Sequence, residues 1–300
     1  MAFSENQLET WSNQGATTTS ANTYNSIKTC IEGHNWNNDV YYNIYLQGSY
    51  KNSTNIRGDS DVDVVVEFTS IFYSNKYELP PEQLKEFDEY HLDGKYSLDS
   101  FKEAIIKRLK DYYGEDFVKV GNKSIKVLAN SGRLDCDVIC CSEYREYNSF
   151  SKQNTGDYAK GIVFWTNKTN EKVVNFPNIH YDNGVNKNQN CNSNYKPSVR
   201  IIKNMKSRLI DLGRISSSLA PSYFIECLMY NVSNNDFRNT SHFSRILAVL
   251  NTFYNYSDTD LAALVCQNRQ RYLFGESNQQ WNISDCKTFI NKLIEFWNEG

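Results

Sequence analysis

The chain has 300 residues, 40% of them hydrophobic and 22% charged, with a formal net charge of −3. That length can bury a sizeable core, as one large domain or as two lobes sharing a cleft, and the slightly negative balance disfavours a protein that neutralises many phosphates along a duplex. No apolar run reaches the roughly eighteen residues a membrane-spanning helix needs, and the opening residues, Met1 to Gln7, carry neither a basic region nor an apolar one, so the expected location is cytoplasmic.

In chain order, residues 6–34 read as helical, with Leu8 and Trp11, then Ile27, Cys30 and Ile31, at helical spacing. Tyr42–Leu46 alternates as a strand that ends at Gly48-Ser49, and the valine-rich Val62–Phe68 is a second strand. Pro80-Pro81 breaks the chain. Ser97 is placed to cap a helix through Tyr113 whose apolar stripe is Phe101, Ile105, Leu109 and Tyr112. Short β-like runs follow at Phe117–Val120, Lys123–Ala129 and Arg133–Cys141. Past Ser149, Gly161–Trp165 and Lys172–Phe176 read as a hairpin, and Asn175–Tyr195 as a long Asn-rich loop. Helices are then expected near Pro197–Leu212, Pro221–Val232, Thr240–Tyr254 and Ser284–Trp297, with Pro197 and Pro221 suited to first turns. The pattern predicts an α+β lobe over 1–150 packed on a mainly helical lobe over 151–300.

The informative segment is Leu46-Gln47-Gly48-Ser49-Tyr50, followed after a polar loop by Arg57-Gly58-Asp59-Ser60-Asp61-Val62-Asp63-Val64. Strand side chains alternate, so Asp61 and Asp63 share one face while Val62, Val64 and Val66 take the other. Two carboxylates so placed repel each other unless a cation lies between them, and oxygen-only ligands suit Mg²⁺ or Mn²⁺ better than zinc. Gly48-Ser49 supplies a tight turn with backbone N–H groups and a hydroxyl able to hold a triphosphate. A lone Asp-x-Asp at a strand start is usually a turn or a solvated edge; the Gly-Ser turn upstream is what gives this one weight. A second pair, Asp135 and Asp137 in Leu134-Asp135-Cys136-Asp137-Val138, again shares one face, and a strand beside the first would add a third carboxylate to a two-ion site. The eight cysteines are scattered, with no Cys-x-x-Cys pair, which argues against a structural zinc site and for reduced thiols.

These segments resemble the polymerase-β-type nucleotidyltransferases, and within them the bacterial cGAS/DncV-like nucleotidyltransferases of anti-phage (CBASS) signalling. The resemblance runs almost end to end. Tyr144-Arg145-Glu146-Tyr147, Asn175-Phe176-Pro177-Asn178-Ile179-His180, Tyr195-Lys196-Pro197-Ser198-Val199-Arg200-Ile201-Ile202-Lys203-Asn204 and Pro221-Ser222-Tyr223-Phe224-Ile225-Glu226 are similar to clade E, whose members often incorporate uridine. The resemblance implies a polymerase-β-like core over 1–150, a helical second lobe over 151–300, and an active site in the cleft between. It implies that two nucleoside triphosphates, UTP and ATP among the candidates, are joined on two Mg²⁺ or Mn²⁺ ions into a cyclic dinucleotide second messenger. Asp61, Asp63 and Asp137 match the catalytic, metal-binding aspartates; because Cys140 stands where the family has a proline, Asp135 remains an alternative third ligand. Gln47, Gly48 and Ser49 match the phosphate-gripping segment. Lys203 and Ser222 match a lysine and a serine that reach the donor triphosphate, against the alternatives of a solvated basic face (Arg200, Lys203, Lys206, Arg208) and of a plain first-turn serine. His34, His91, His180 and His242 read as structural. No duplex nucleic acid and no membrane are expected, and no regulatory protein partner is identified. The rival functions are a transferase making a linear oligonucleotide or modifying RNA or protein, and a catalytically silent nucleotide-binding module.

Overall fold

A computed structural model of the chain describes residues 3–15, 17–57, 61–92 and 94–300. Gly58, Asp59 and Ser60 of the polar loop, and Met1 and Ala2 of the N-terminal segment, lie outside the described residues. The chain divides into two compact units, one of Thr17–Gln47 with Asp61–Asn178 and one of Met1–Ala16 with Gly48–Ser60 and Ile179–Gly300.

The single helix expected over 6–34 is two helices, α1 (Glu5–Ser12) and α2 (Thr18–Glu32). The break holds Gly15, whose N–H donates to the Asn55 carbonyl at 3.1 Å. A Cβ there would stand 2.5 Å from the Ile56 carbonyl oxygen, so only glycine fits. The next elements are β1 (Tyr42–Gln47), the short helix α3 (Gly48–Asn52) and β2 (Val62–Ser74). Pro80-Pro81 does not merely break the chain: Pro81 opens a helix, α4 (Pro81–Tyr90), because proline is preorganised for a first turn. Helix α5 (Leu98–Tyr113) starts where its cap predicts, with the Ser97 hydroxyl accepting from the Ser100 N–H at 3.1 Å. Phe101, Ile105 and Leu109 are buried, whereas Tyr112 is exposed and falls off the stripe.

Strands β3 (Val118–Val120), β4 (Ile125–Val127), β5 (Cys136–Tyr147), β6 (Tyr158–Trp165) and β7 (Lys172–Asn175) complete the sheet. Its order is β1-β2-β5-β4-β3, with β6 on the later half of β5 and β7 on β6. The hairpin placed past residue 150 thus belongs to the same sheet as the earlier strands. β2 and β5 are parallel and the remaining pairs antiparallel. Val62, Val64, Val66 and Phe68 are buried, with the Phe68 ring stacked on Phe101 of α5 (4.6 Å, 14°). That apolar face leaves Asp61 and Asp63 for the other side of the strand.

In the second unit, residues 177–190 form a helix, α6 (Pro177–Asn190), where an Asn-rich loop was expected. Its buried positions, His180, Gly184 and Lys187, have helical spacing but are not apolar, so a search for hydrophobic periodicity passes over them. Helices α7 (Tyr195–Asp211), α8 (Ser222–Tyr230), α9 (His242–Asn255), α10 (Asp258–Ala262) and α11 (Ile283–Glu299) follow. Their core gathers Val199, Ile202 and Met205 with Phe224, Leu228, Val249, Phe253, Phe289 and Leu293. All eight cysteines are buried free thiols. No helix among the described residues is long and apolar enough to cross a membrane.

Candidate active site

The carboxylate end of the sheet is set by two neighbouring strands, the valine-rich β2 and the cysteine-containing β5. At the start of β2 the burial alternates, with Asp61 just before the strand and Asp63 partly accessible and Val62 and Val64 buried; at the start of β5, Asp135 just before the strand and Asp137 are partly accessible while Cys136, Val138 and Cys140 are buried. The parallel register places Asp63 directly opposite Asp137. On the other flank of β2, Gln47, the last residue of β1, is the register partner of Asp63. The Gln47 side-chain oxygen is buried with no hydrogen-bond partner among the described residues. Gly48 follows Gln47 directly in the chain.

Two side chains that the sequence reading did not single out complete this face. Lys126 of β4 reaches Asp61 at 2.7 Å and Asp135 at 3.2 Å, and the Asp61 carboxylate, with Asp135, pushes its ammonium well above the usual lysine value. Ser124 donates to Asp137 Oδ1 at 2.8 Å. Asp135 also accepts the Ala129 N–H at 2.6 Å, and that bond, with Lys126, holds its carboxyl below the usual range. The two aspartates are therefore differently employed, Asp135, just before β5, by the preceding loop, and Asp137, on β5, in register with Asp63. The pattern Ile125-Lys126-Val127 carried the signal for Lys126, because alternation puts its side chain opposite two apolar neighbours.

As they stand, no three His, Cys, Asp or Glu side chains among the described residues are grouped to hold a metal ion. Asp61 is engaged by Lys126 and Asp137 by Ser124. The donor chemistry nevertheless fits a hard divalent cation: the groups are carboxylates, and they already draw a cation, the Lys126 ammonium, between two of them. Asp61, Asp63 and Asp137 are the residues that would hold such an ion, with Asp61 exchanging Lys126 for it.

In the helical unit, Gly48 takes φ +68° and opens α3, a single helical turn rather than an open loop. The turn is closed by the Thr54 N–H donating to the Ser49 carbonyl at 2.9 Å. Ser53 takes φ +55°, a left-handed conformation that a serine adopts only under constraint. The constraint is a buried polar cluster. Glu226, inside the apolar run Phe224–Met229 of α8, accepts from Asn52 Nδ2 at 3.0 Å and from the Thr54 hydroxyl at 2.6 Å. It pairs with Lys203 Nζ at 2.6 Å and His180 Nε2 at 3.1 Å. Lys203 Nζ also donates to the Thr54 carbonyl at 3.2 Å.

Lys203 is only 2% exposed, so it is not part of a solvated basic face. The resemblance has it reaching a triphosphate; here its ammonium is taken up by Glu226 and by the segment that follows the turn. Burial works against the Glu226 charge, but Lys203 and His180 overcome it and hold the carboxyl far below its usual range. A carboxylate within an otherwise apolar helix was the available signal, since a buried charge needs partners. His180 is structural, as its spacing suggests, with its ring stacked on Tyr223 at 4.9 Å. Ser222 is the first residue of α8, after Pro221, and its hydroxyl makes no hydrogen bond among the described residues.

Known proteins carry the same organisation. Residues 182–298 match the family described as cGAS/DncV-like nucleotidyltransferase C-terminal helical domain. The chain is 41% identical over 297 residues to a cyclic UMP-AMP synthase of Rhodothermus marinus, covering 99% of this chain and 98% of that protein. It is 38% identical over 302 residues to the cyclic nucleotide synthase CdnE01 of Staphylococcus haemolyticus, covering all of both. Among solved structures, the Rhodothermus marinus CdnE c-UMP-AMP synthase with Apcpp and Upnpp superposes with a TM-score of 0.89 at 40% identity, covering 99% of this chain and 97% of that one. The Elizabethkingia meningoseptica CdnE cyclic dinucleotide synthase with GTP and Apcpp gives 0.77 at 30% identity, over 99% and 98%. A polymerase-β-like sheet with paired strand carboxylates and a helical C-terminal domain makes the protein a metal-dependent nucleotidyltransferase. The chain belongs to the cGAS/DncV-like nucleotidyltransferase family.

Proposed function

We propose that this protein, a cyclic dinucleotide synthase like its relatives, joins two nucleoside triphosphates on a pair of divalent ions held by Asp61, Asp63 and Asp137. The messenger so made belongs to anti-phage signalling, and the protein works in the cytoplasm. The observation that carries the reading is the parallel register Asp63 opposite Asp137, with Asp61 one strand repeat before Asp63. UTP and ATP are the first substrates to test, since the Rhodothermus marinus relative is named for UMP and AMP.

Divalent ions, when bound, supply charge neutralisation at the phosphates and acidify the attacking hydroxyl. The rest falls to the chain. A ribose hydroxyl of the acceptor attacks the donor α-phosphorus; the new P–O bond forms as the bond to the β-phosphate oxygen breaks, and pyrophosphate leaves. Asp137 takes the hydroxyl proton, a role consistent with its facing Asp63 while Asp135 is occupied by the Ala129 N–H. Gln47, Gly48 and Ser49 steady the donor phosphates, with Ser222 supplying a free hydroxyl. Lys203 serves the same phosphates through the turn, because it and Glu226 fix Asn52 and Thr54. A second round of the same chemistry closes the ring and releases a second pyrophosphate.

Asp61→Ala or Asp63→Ala should abolish turnover and leave the fold intact, because both carboxylates are partly accessible and stand off the apolar face formed by Val62 and Val64, and Lys126 keeps Asp135 as a partner when Asp61 is removed. The check is product formation at saturating Mg²⁺ beside a thermal melt. Wild-type turnover by either variant would contradict the assignment.

A further inference from the structure

Asp137 differs from Asp61 and Asp135 in the kind of partner it has. Those two share a cation, the Lys126 ammonium, at 2.7 and 3.2 Å. Asp137 has a neutral donor instead. The Ser124 hydroxyl donates to its Oδ1 at 2.8 Å and is the carboxylate's only hydrogen-bond partner among the described residues. Ser124 stands just before β4, and its backbone alone serves the β3–β4 turn, its carbonyl accepting the Gly121 N–H at 2.8 Å. The hydroxyl takes no part in that turn.

The serine is held from two sides. Pairing of β4 with β5 sets Lys126 opposite Asp137 and Ile125 opposite Val138, which fixes the start of β4 against the carboxylate strand. The β3–β4 turn is also tied to the turn between β6 and β7. The Asn167 N–H donates to the Asn122 carbonyl at 2.9 Å and the Lys168 N–H to Asn122 Oδ1 at 2.9 Å, while the Asn167 side chain donates to the Gly121 carbonyl. The torsion that turns an aspartate's two oxygens is broad and roughly two-fold, so a carboxylate without a partner presents either oxygen over a range of angles. A hydroxyl carried by so constrained a segment narrows that range. Being neutral, it orients the group without supplying the counter-charge that an ammonium does, and the carboxylate keeps its pull on a cation or a proton.

We infer that Ser124 is the positioning residue of Asp137: its hydroxyl holds Oδ1 and leaves Oδ2 for the ion and the attacking ribose hydroxyl. The inference rests on the proposed role of Asp137 and deepens it by naming the group that aims that carboxylate.

The test compares Ser124→Ala, Ser124→Val and Ser124→Thr with wild type, all as the full chain. Valine and threonine have the same shape and only threonine has a hydroxyl, so the pair separates the hydrogen bond from packing. Each variant is measured by steady-state turnover of the nucleoside triphosphates that wild type uses, by Mn²⁺ binding without nucleotide, and by a thermal melt. Alanine and valine are expected to lower kcat at least about tenfold and to weaken Mn²⁺ binding by a similar factor, the scale of losing a hydrogen bond behind a metal ligand. The triphosphate KM and the melting temperature should stay near wild type, because a misdirected carboxylate weakens the transition state rather than the hold on the phosphates. Threonine should restore most of the turnover and of the Mn²⁺ affinity. Wild-type kcat and Mn²⁺ affinity in both alanine and valine variants overturn the inference, as does a loss that threonine shares equally with valine or that follows the melting temperature. If Asp137→Asn is inactive while Ser124→Ala is unaffected, this inference fails and the function stands; if Asp137→Asn turns over normally, the function itself fails.

Discussion

Asp137 and Asp135 lie two residues apart on one strand face, and the sequence alone left open which is the third ligand. Register favours Asp137, which faces Asp63, while Asp135 is occupied by the Ala129 N–H and by Lys126. Asp137→Asn is therefore expected to cost at least about a thousandfold in turnover, the scale of losing an essential electrostatic group, and Asp135→Asn far less; steady-state rates of the two variants decide, and a reversed order would move the site by two residues. Lys126 gives a second expectation. Its ammonium holds the place of a cation between Asp61 and Asp135, so it competes with any divalent ion for Asp61. Lys126→Met should bind Mn²⁺ several-fold more tightly than wild type in the absence of nucleotide, as measured by calorimetry or paramagnetic relaxation, and weaker binding would contradict the exchange. The aspartates themselves were legible because period-two alternation beside valines needs no tertiary information. Their companions Lys126 and Ser124 were not, because which strand lies beside β5 depends on pairing between residues distant in sequence.

At the scale of elements, the strands and the capped helix α5 followed from local rules, and the misses have two causes. Helix α6 presents His180, Gly184 and Lys187 inward, and Gly184 packs against the Gln267 side chain, so its buried stripe is polar and invisible to hydrophobic periodicity. The break between α1 and α2 is enforced by backbone approach of Gly15 to Ile56, residues far apart in the chain. The Lys203–Glu226 pair joins α7 to α8 and both to the segment after α3. Leaving one member of such a buried pair without the other costs about 3–5 kcal/mol. Glu226→Gln and Lys203→Met should each lower stability on that scale in chemical denaturation, and the double variant should lose clearly less than the sum. The pH dependence has a definite sign. The folded Glu226 carboxyl lies far below its unfolded value of about 4.3, so its contribution is complete above that pH and is lost as pH falls through the unfolded value toward the folded one. Wild type should therefore lose stability from about pH 4 downward more steeply than Glu226→Gln, and parallel acid limbs would show that the pair is not charged in the folded protein.

For the whole molecule, composition excluded more than it identified. A net charge of −3 and basic residues dispersed among acidic ones argue against a duplex sensor, which must neutralise several phosphates and loses affinity steeply with salt. Function came instead from the spacing of a few residues and from end-to-end resemblance to a family, and the comparisons bear out that membership. What the fold adds is, within the sheet unit, the register of the carboxylates of β2 and β5 and, within the helical unit, a turn held by the Lys203–Glu226 cluster. The most direct test is to incubate nuclease-treated protein with a mixture of the four nucleoside triphosphates and Mg²⁺ or Mn²⁺, with and without added duplex, and to identify the products by mass spectrometry. A cyclic dinucleotide, formed with two pyrophosphates released per molecule and equally well without duplex, is the predicted result. Linear oligonucleotides alone, no nucleotide product, or product only with duplex at low salt would contradict it.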